Sequence, residues 1–176
     1  MTAVTLESLA RRVQELEDIG AIKDLKSRYW RACDLKQPAV VRDCFDPAGA
    51  VIDYEGFPAF DNRDAFTKTY ETMACRPGLF DLHHGCNPEI ELTGPDTAKA
   101  KWSLAFYTVD VATRTAINMG VEYNDEYIKK AGRWLIKKTV ARRVSFTMEK
   151  YAADGTPTVL TFGNEGPKVY GEALKA

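Results

Sequence analysis

Two histidines occur in the 176 residues, and they are adjacent: His83 and His84. Histidine is the side chain best suited to moving a proton near neutral pH. On an extended strand the two face opposite sides, so a pocket can hold only one of them. Asp34 follows Trp30 and Cys33 at the end of an apolar helical run. A carboxylate in such company caps something, reaches solvent or has a charged partner. Set behind a histidine, it would hold one imidazole tautomer and stabilise the imidazolium. Tyr29 lies on the same run, either as a core tyrosine or as a phenol that donates to a substrate oxygen. Arg142 and Arg143 interrupt an otherwise apolar strand, and one must point away from the other. An arginine aimed at a cavity could hold a carboxylate or a developing oxyanion.

Other chemistries lack their signatures. There is no Gly-rich phosphate loop, no G-x-S-x-G turn and no H-E-x-x-H pair. The cysteines Cys33, Cys44, Cys75 and Cys86 form no CxxC pair, so neither a zinc ribbon nor a thioredoxin motif is expected. Nothing marks Cys33 or Cys86 as an activated nucleophile. No metal site is expected, because the histidine pair has no acid at ligand spacing.

The elements that must position these residues fall into two textures. The first third reads as helix. Leu6, Leu9, Val13 and Leu16 recur at helical steps, with Thr5 as a cap. Gly20 weakens the run, and Asp18 is expected to cap a fresh helix carrying Ile22, Leu25, Tyr29 and Cys33, which ends before Pro38. A short helix around Val40 and Val41 follows, then a turn at Asp46 to Gly49, a strand over Ala50 to Tyr54 and a turn at Glu55-Gly56. Asp61 is expected to cap a helix that Arg76-Pro77-Gly78 stops.

The later chain is extended. Long runs cover Leu82 to Thr93, Ala98 to Val109, Ala116 to Lys129 and Arg133 to Met148, joined by hairpin-type connections. Asp154-Gly155 can add one more hairpin with Thr158 to Phe162. Helices first and an antiparallel meander after imply an α+β fold with helices on one face of a curved sheet. Strands of this length bend, and bending makes a concave face. The expected organisation is one domain over residues 1–150 and an extension over 151–176, a hairpin or a subunit-contacting tail.

The composition is that of an ordinary globular chain: 45% apolar, 11% aromatic and 28% charged, with a net charge of −1. That balance gives no bulk attraction to phosphate, which argues against a dedicated nucleic-acid or anionic-membrane partner. No run approaches the length needed to span a bilayer. No signal pattern opens the chain, so a cytoplasmic protein is expected.

The run Leu16 to Tyr29 (LEDIGAIKDLKSRY), followed by Asp34, resembles the opening of SnoaL-like proteins of the nuclear-transport-factor-two-like superfamily. His83-His84-Gly85-Cys86-Asn87-Pro88 resembles that family's H-x-G-x-N strand. Gly132-Arg133-Trp134-Leu135-Ile136, with Arg143 nine residues after the tryptophan, resembles its final strand. The likeness covers roughly residues 6–150, and the order and spacing of the motifs carry it. Within the family the chain resembles bile-acid 7α-dehydratase, then scytalone dehydratase and the hexachlorocyclohexane dehydrochlorinase.

The resemblance implies a cone-shaped α+β barrel, its N-terminal helices packed on a strongly curved, mostly antiparallel sheet around one deep pocket. It also implies a homotrimer and a lyase that needs no cofactor. It places Tyr29, Asp34, His83 and Arg143 at the family's catalytic positions, choosing His83 over His84 and Arg143 over Arg142. Trp30, Phe57, Trp102 and Phe106 become candidates for the apolar wall, with Asn87 as a further substrate-binding residue. Bile-acid dehydratases carry an aspartate where Phe106 stands here, which favours a more apolar ligand. The implied reaction is elimination of water from a hydrophobic, hydroxylated, ring-containing small molecule. Retro-aldol release of formaldehyde from an aromatic dimer, a double-bond shift, or binding without chemistry are the alternatives.

Overall fold

Thr5 starts the first helix: its hydroxyl accepts from the Ser8 amide and the Ser8 side chain caps in return. The helix, α1, runs unbroken over Leu6–Asp34. The break expected at Asp18 and Gly20 is absent. Asp18 serves as a tertiary acceptor instead of a cap, taking hydrogen bonds from Lys129 Nζ at 2.7 Å and Trp134 Nε1 at 2.8 Å. Two such bonds outweigh the cost of about 1 kcal/mol that a helical glycine carries. Ile22, Leu25, Tyr29, Trp30 and Cys33 are buried, whereas the apolar stripe Leu6, Leu9, Val13 and Leu16 is exposed.

The computed structural model describes residues 4–164. After α1 come α2 (Pro38–Asp43), β1 (Val51–Tyr54), α3 (Arg63–Ala74), β2 (Leu79–Gly94), β3 (Thr97–Asp110), β4 (Thr115–Lys130), β5 (Arg133–Tyr151) and β6 (Pro157–Gly163). Asn62, not Asp61, caps α3, accepting from the Ala65 amide. No helix among the described residues is long and apolar enough to cross a membrane. Residues 165–176, on which part of the expected tail falls, lie outside the described residues.

The six strands form one open sheet in the order β1-β5-β4-β3-β2, with β6 also on β5. Only β1 runs parallel to its neighbour. It pairs with Lys138 to Ala141, and β6 pairs antiparallel with Phe146 to Tyr151, so the two share one edge of β5 in succession. The fold is the cone expected of an α+β protein, left open rather than closed.

Two strands change register beside the concave face. In β2 the pairing jumps between Cys86 and Glu89, where Asn87 adopts φ 52°. In β5 Val121 opposes Arg143 while Gly120 opposes Ser145, so Val144 is the extra residue of a bulge. Each irregularity exchanges the inward and outward faces of the strand beyond it.

The core lies between α1 and the sheet. Trp30 meets Trp102 edge-on at 5.6 Å and Tyr123 at 5.8 Å. A buried polar chain runs beneath them. Trp102 Nε1 donates to Tyr127 Oη at 3.0 Å, and Tyr127 donates to Asp125 at 2.6 Å. Lys26 Nζ lies 2.7 Å from the same carboxylate oxygen, and neither charged side chain touches solvent. Burial lowers the lysine's proton affinity, and Asp125 acts to restore it.

Candidate active site

α1 delivers the first carboxylate at its last residue. Asp34 Oδ1 stands 2.6 Å from His83 Nδ1, and Asp34 Oδ2 accepts the His83 backbone amide at 3.2 Å. One carboxylate therefore fixes both the strand and the ring it carries. With Nδ1–H donating to Asp34, the ring nitrogen left to take a proton is Nε2.

His83 lines a cavity of about 460 Å³ on the concave face of the sheet. That volume suits a small organic ligand. Its walls are largely apolar, including Phe57, Phe60, Phe106, Ile117 and Met119. Phe106 packs edge-on against the His83 ring at 4.7 Å between centroids. Apolar packing at this point lowers the local dielectric and strengthens electrostatic contacts within the cavity.

Tyr29, Tyr54 and Arg143 are among the polar groups that share the wall with His83. Tyr29 Oη and Tyr54 Oη are hydrogen-bonded at 2.8 Å, and both residues line the cavity. Burial raises the proton affinity of both phenols well above the ordinary value, so they remain neutral donors. Arg143 enters from β5; its Nη2 contacts Glu55 Oε1 at 2.9 Å, and its backbone amide donates to Glu55 Oε2 at 2.9 Å. At another part of the rim Arg76 forks onto Asp110, holding that carboxyl down at about 2.

The structure brings Tyr29, His83 and Arg143 to one cavity, together with Phe57 and Phe106, and sets Asp34 behind His83, outside the lining. His84 is exposed, and Arg142 pairs with Asp53 outside the cavity. Trp30, Trp102 and Asn87 do not line it. The two indoles are buried against each other, with Trp102 committed to Tyr127. Asn87 takes the left-handed turn of the β2 bulge, a conformation asparagine tolerates, and is exposed there. Cys33 does line the cavity, but burial pushes its thiol up and keeps it protonated.

Tyr54, Glu55, Arg76 and Asp110 were not foreseen from sequence. Tyr54 shares the inward parity of Ile52, a usable signal. Glu55 sits at a turn, where alternation says nothing.

A family model described as a SnoaL-like domain matches residues 14–140. Among solved structures, a candidate scytalone dehydratase from Novosphingobium aromaticivorans DSM 12444 superposes with a TM-score of 0.72 at 19% identity, covering 87% of this chain and 95% of its own. The hexachlorocyclohexane dehydrochlorinase LinA-type3 from Novosphingobium barchaimii LL02 gives 0.68 at 18% identity, covering 89% and 99%. At these identities the superpositions establish the shared fold. A match across most of the chain, with the cone and its cavity in place, assigns it: the protein belongs to the SnoaL-like family.

Proposed function

We propose that the protein is a cofactor-independent lyase that removes water from a hydrophobic, hydroxylated, ring-containing small molecule. The observation that carries this reading is the Asp34–His83 pair at 2.6 Å, set at the wall of an apolar cavity. His83 Nε2 takes a proton from carbon, the electron pair forms the new double bond, and the hydroxyl leaves from the adjacent carbon. The imidazolium returns its proton to that hydroxyl, and water departs. Asp34 holds the ring and offsets its charge during the interval. Whichever of Tyr29 and Tyr54 accepts in their mutual hydrogen bond keeps its O–H to donate to a carbonyl oxygen conjugated with the reacting carbon, and Arg143, still paired with Glu55, adds positive potential as negative charge develops. Proton transfer of this kind supplies about 10²–10⁴-fold, and positioning in a dry cavity supplies the rest.

One observation favours a second reading. Phe106 lies against His83, where an acid would assist a departing hydroxyl. In a retro-aldol cleavage no such acid is needed. His83 would take the proton of a hydroxymethyl group, the carbon–carbon bond would break, formaldehyde would leave, and the carbanion would take the proton back. An aromatic dimer would suit the phenylalanine-rich wall.

A mass-spectrometric screen of hydroxylated steroids, polyketides and aromatic dimers, without added cofactor, separates these readings. Loss of water that disappears in His83→Ala supports the dehydratase, and loss of formaldehyde supports the carbon–carbon lyase. Binding without conversion by either protein overturns both and leaves a small-molecule-binding protein. We propose a homotrimer as its assembly, with the exposed Leu6, Leu9, Val13 and Leu16 as apolar surface available for contacts; light scattering reads this directly.

A further inference from the structure

Resting on the reading of this cavity as the substrate site, we propose that the site selects uncharged substrates and that Glu55 enforces the selection by occupying Arg143. An arginine in a pocket is ordinarily a receptor for a carboxylate or phosphate. Here that role is filled from within. The Arg143 side chain is only 6% exposed, and Glu55 contacts it through both carboxylate oxygens, one to the guanidinium and one to the backbone amide.

The placement follows from the sheet. β1 ends at Tyr54 opposite Ala141, and β6 reaches along β5 only as far as Phe146, opposite its last residue Gly163. In the interval on that edge of β5, the Arg143 amide donates to the Glu55 side chain rather than to a strand carbonyl. The Glu55 backbone amide donates to Ala141 O at 3.0 Å, which holds the residue at this point. The Arg143 amide and guanidinium keep the Glu55 carboxyl below its ordinary range and therefore charged.

The other cavity charges are matched in the same way. Arg76 is forked onto Asp110, and Asp81 is paired with Lys36. Apart from His83, three cations (Lys36, Arg76 and Arg143) face four carboxylates (Asp34, Glu55, Asp81 and Asp110) around the site. An incoming carboxylate must displace Glu55 or Asp110, or add to an excess of negative charge behind low-dielectric walls. A carbonyl or hydroxyl oxygen needs no counter-ion and can accept from Tyr29 or Tyr54.

The test uses a ligand pair of one shape and two charges, 2-naphthamide and 2-naphthoate, with affinities measured by calorimetry on the full chain. Wild type is expected to bind the amide at least about tenfold more tightly than the carboxylate. Glu55→Gln should gain about tenfold for naphthoate with little change for naphthamide. Glu55→Asp keeps the anion and should keep the rejection. Adding Arg143→Gln to Glu55→Gln should abolish the gain. Equal binding of the two ligands by wild type, no gain in Glu55→Gln, or binding of neither ligand overturns the proposal. Circular dichroism of each variant checks its fold. Because the assay needs no turnover, its outcome is separate from that of the screen for lyase activity.

Discussion

The indole of Trp30 fills the space above Gly85. A β-carbon built on that glycine would stand 1.8 Å from Cζ3 of the ring. Helix α1 and strand β2 therefore approach closely two residues beyond His83, where the absence of a side chain makes room for the indole. Gly85→Ala should force the indole or the strand aside, costing about 1–3 kcal/mol and displacing His83 from Asp34. Thermal unfolding and kcat on a substrate found in the screen should fall together. An unchanged melting temperature would mean that the approach is looser than described.

Tyr29 and Tyr54 should act as donors at every working pH. Burial raises both phenols well above the ordinary tyrosine value, so neither ionises as the solution becomes alkaline. Tyr29→Phe should lower kcat by about 10-fold or more by removing one donor to the developing charge. The ratio of wild-type to variant rate should stay flat between about pH 6 and 10. A ratio that collapses towards high pH would show a tyrosinate in use.

The Arg76–Asp110 fork makes a prediction for acid. Its folded-state carboxyl sits at about 2, held there chiefly by Arg76, with Thr113 assisting. Asp110 thus binds a proton less readily folded than unfolded. Its stabilisation is present above about pH 4 and is lost as the pH falls from there towards 2. Asp110→Asn should melt below wild type at neutral pH, and the gap should narrow through that window. A gap that stays constant to pH 3 would remove the ion pair as its cause.

Lys26 and Asp125 should be separable only at high cost. Lys26→Met leaves a buried carboxylate without its counter-ion and should destabilise by about 3–5 kcal/mol. Adding Asp125→Asn keeps an acceptor for Tyr127 and removes the orphaned charge, so it should recover much of the loss. Urea unfolding of the two variants measures the difference. Equal losses in both would mean that the lysine matters by its packing against Tyr123 and Trp30 and not by its charge.

The sequence made the elements legible where periodicity is strong. The four long strands and α3 fall within a few residues of their expected spans, because alternation and turn residues are local. Gly20 and Asp18 misled, since the partners that hold Asp18 in mid-helix, Lys129 and Trp134, lie over 100 residues away. Residue types suggested Tyr29, Asp34, His83 and Arg143, and the resemblance chose among them. Parity could not have done so alone. His83 precedes the β2 irregularity and Phe146 follows the one at Val144, so no single alternation covers either strand. Glu55 lay hidden because its partner Arg143 comes from a distant strand.

Those two irregularities bear on how the family is compared. A bulge can be gained or lost through a single inserted or deleted residue, with no substitution. Relatives without the Val144 bulge would carry the strand beyond it inside out, whatever letters an alignment stacks together. Sharing a methionine in the column of Met148, a cavity residue beyond the bulge, therefore does not establish a shared wall. Descent of function in such proteins is better traced through strand register than through residue identity.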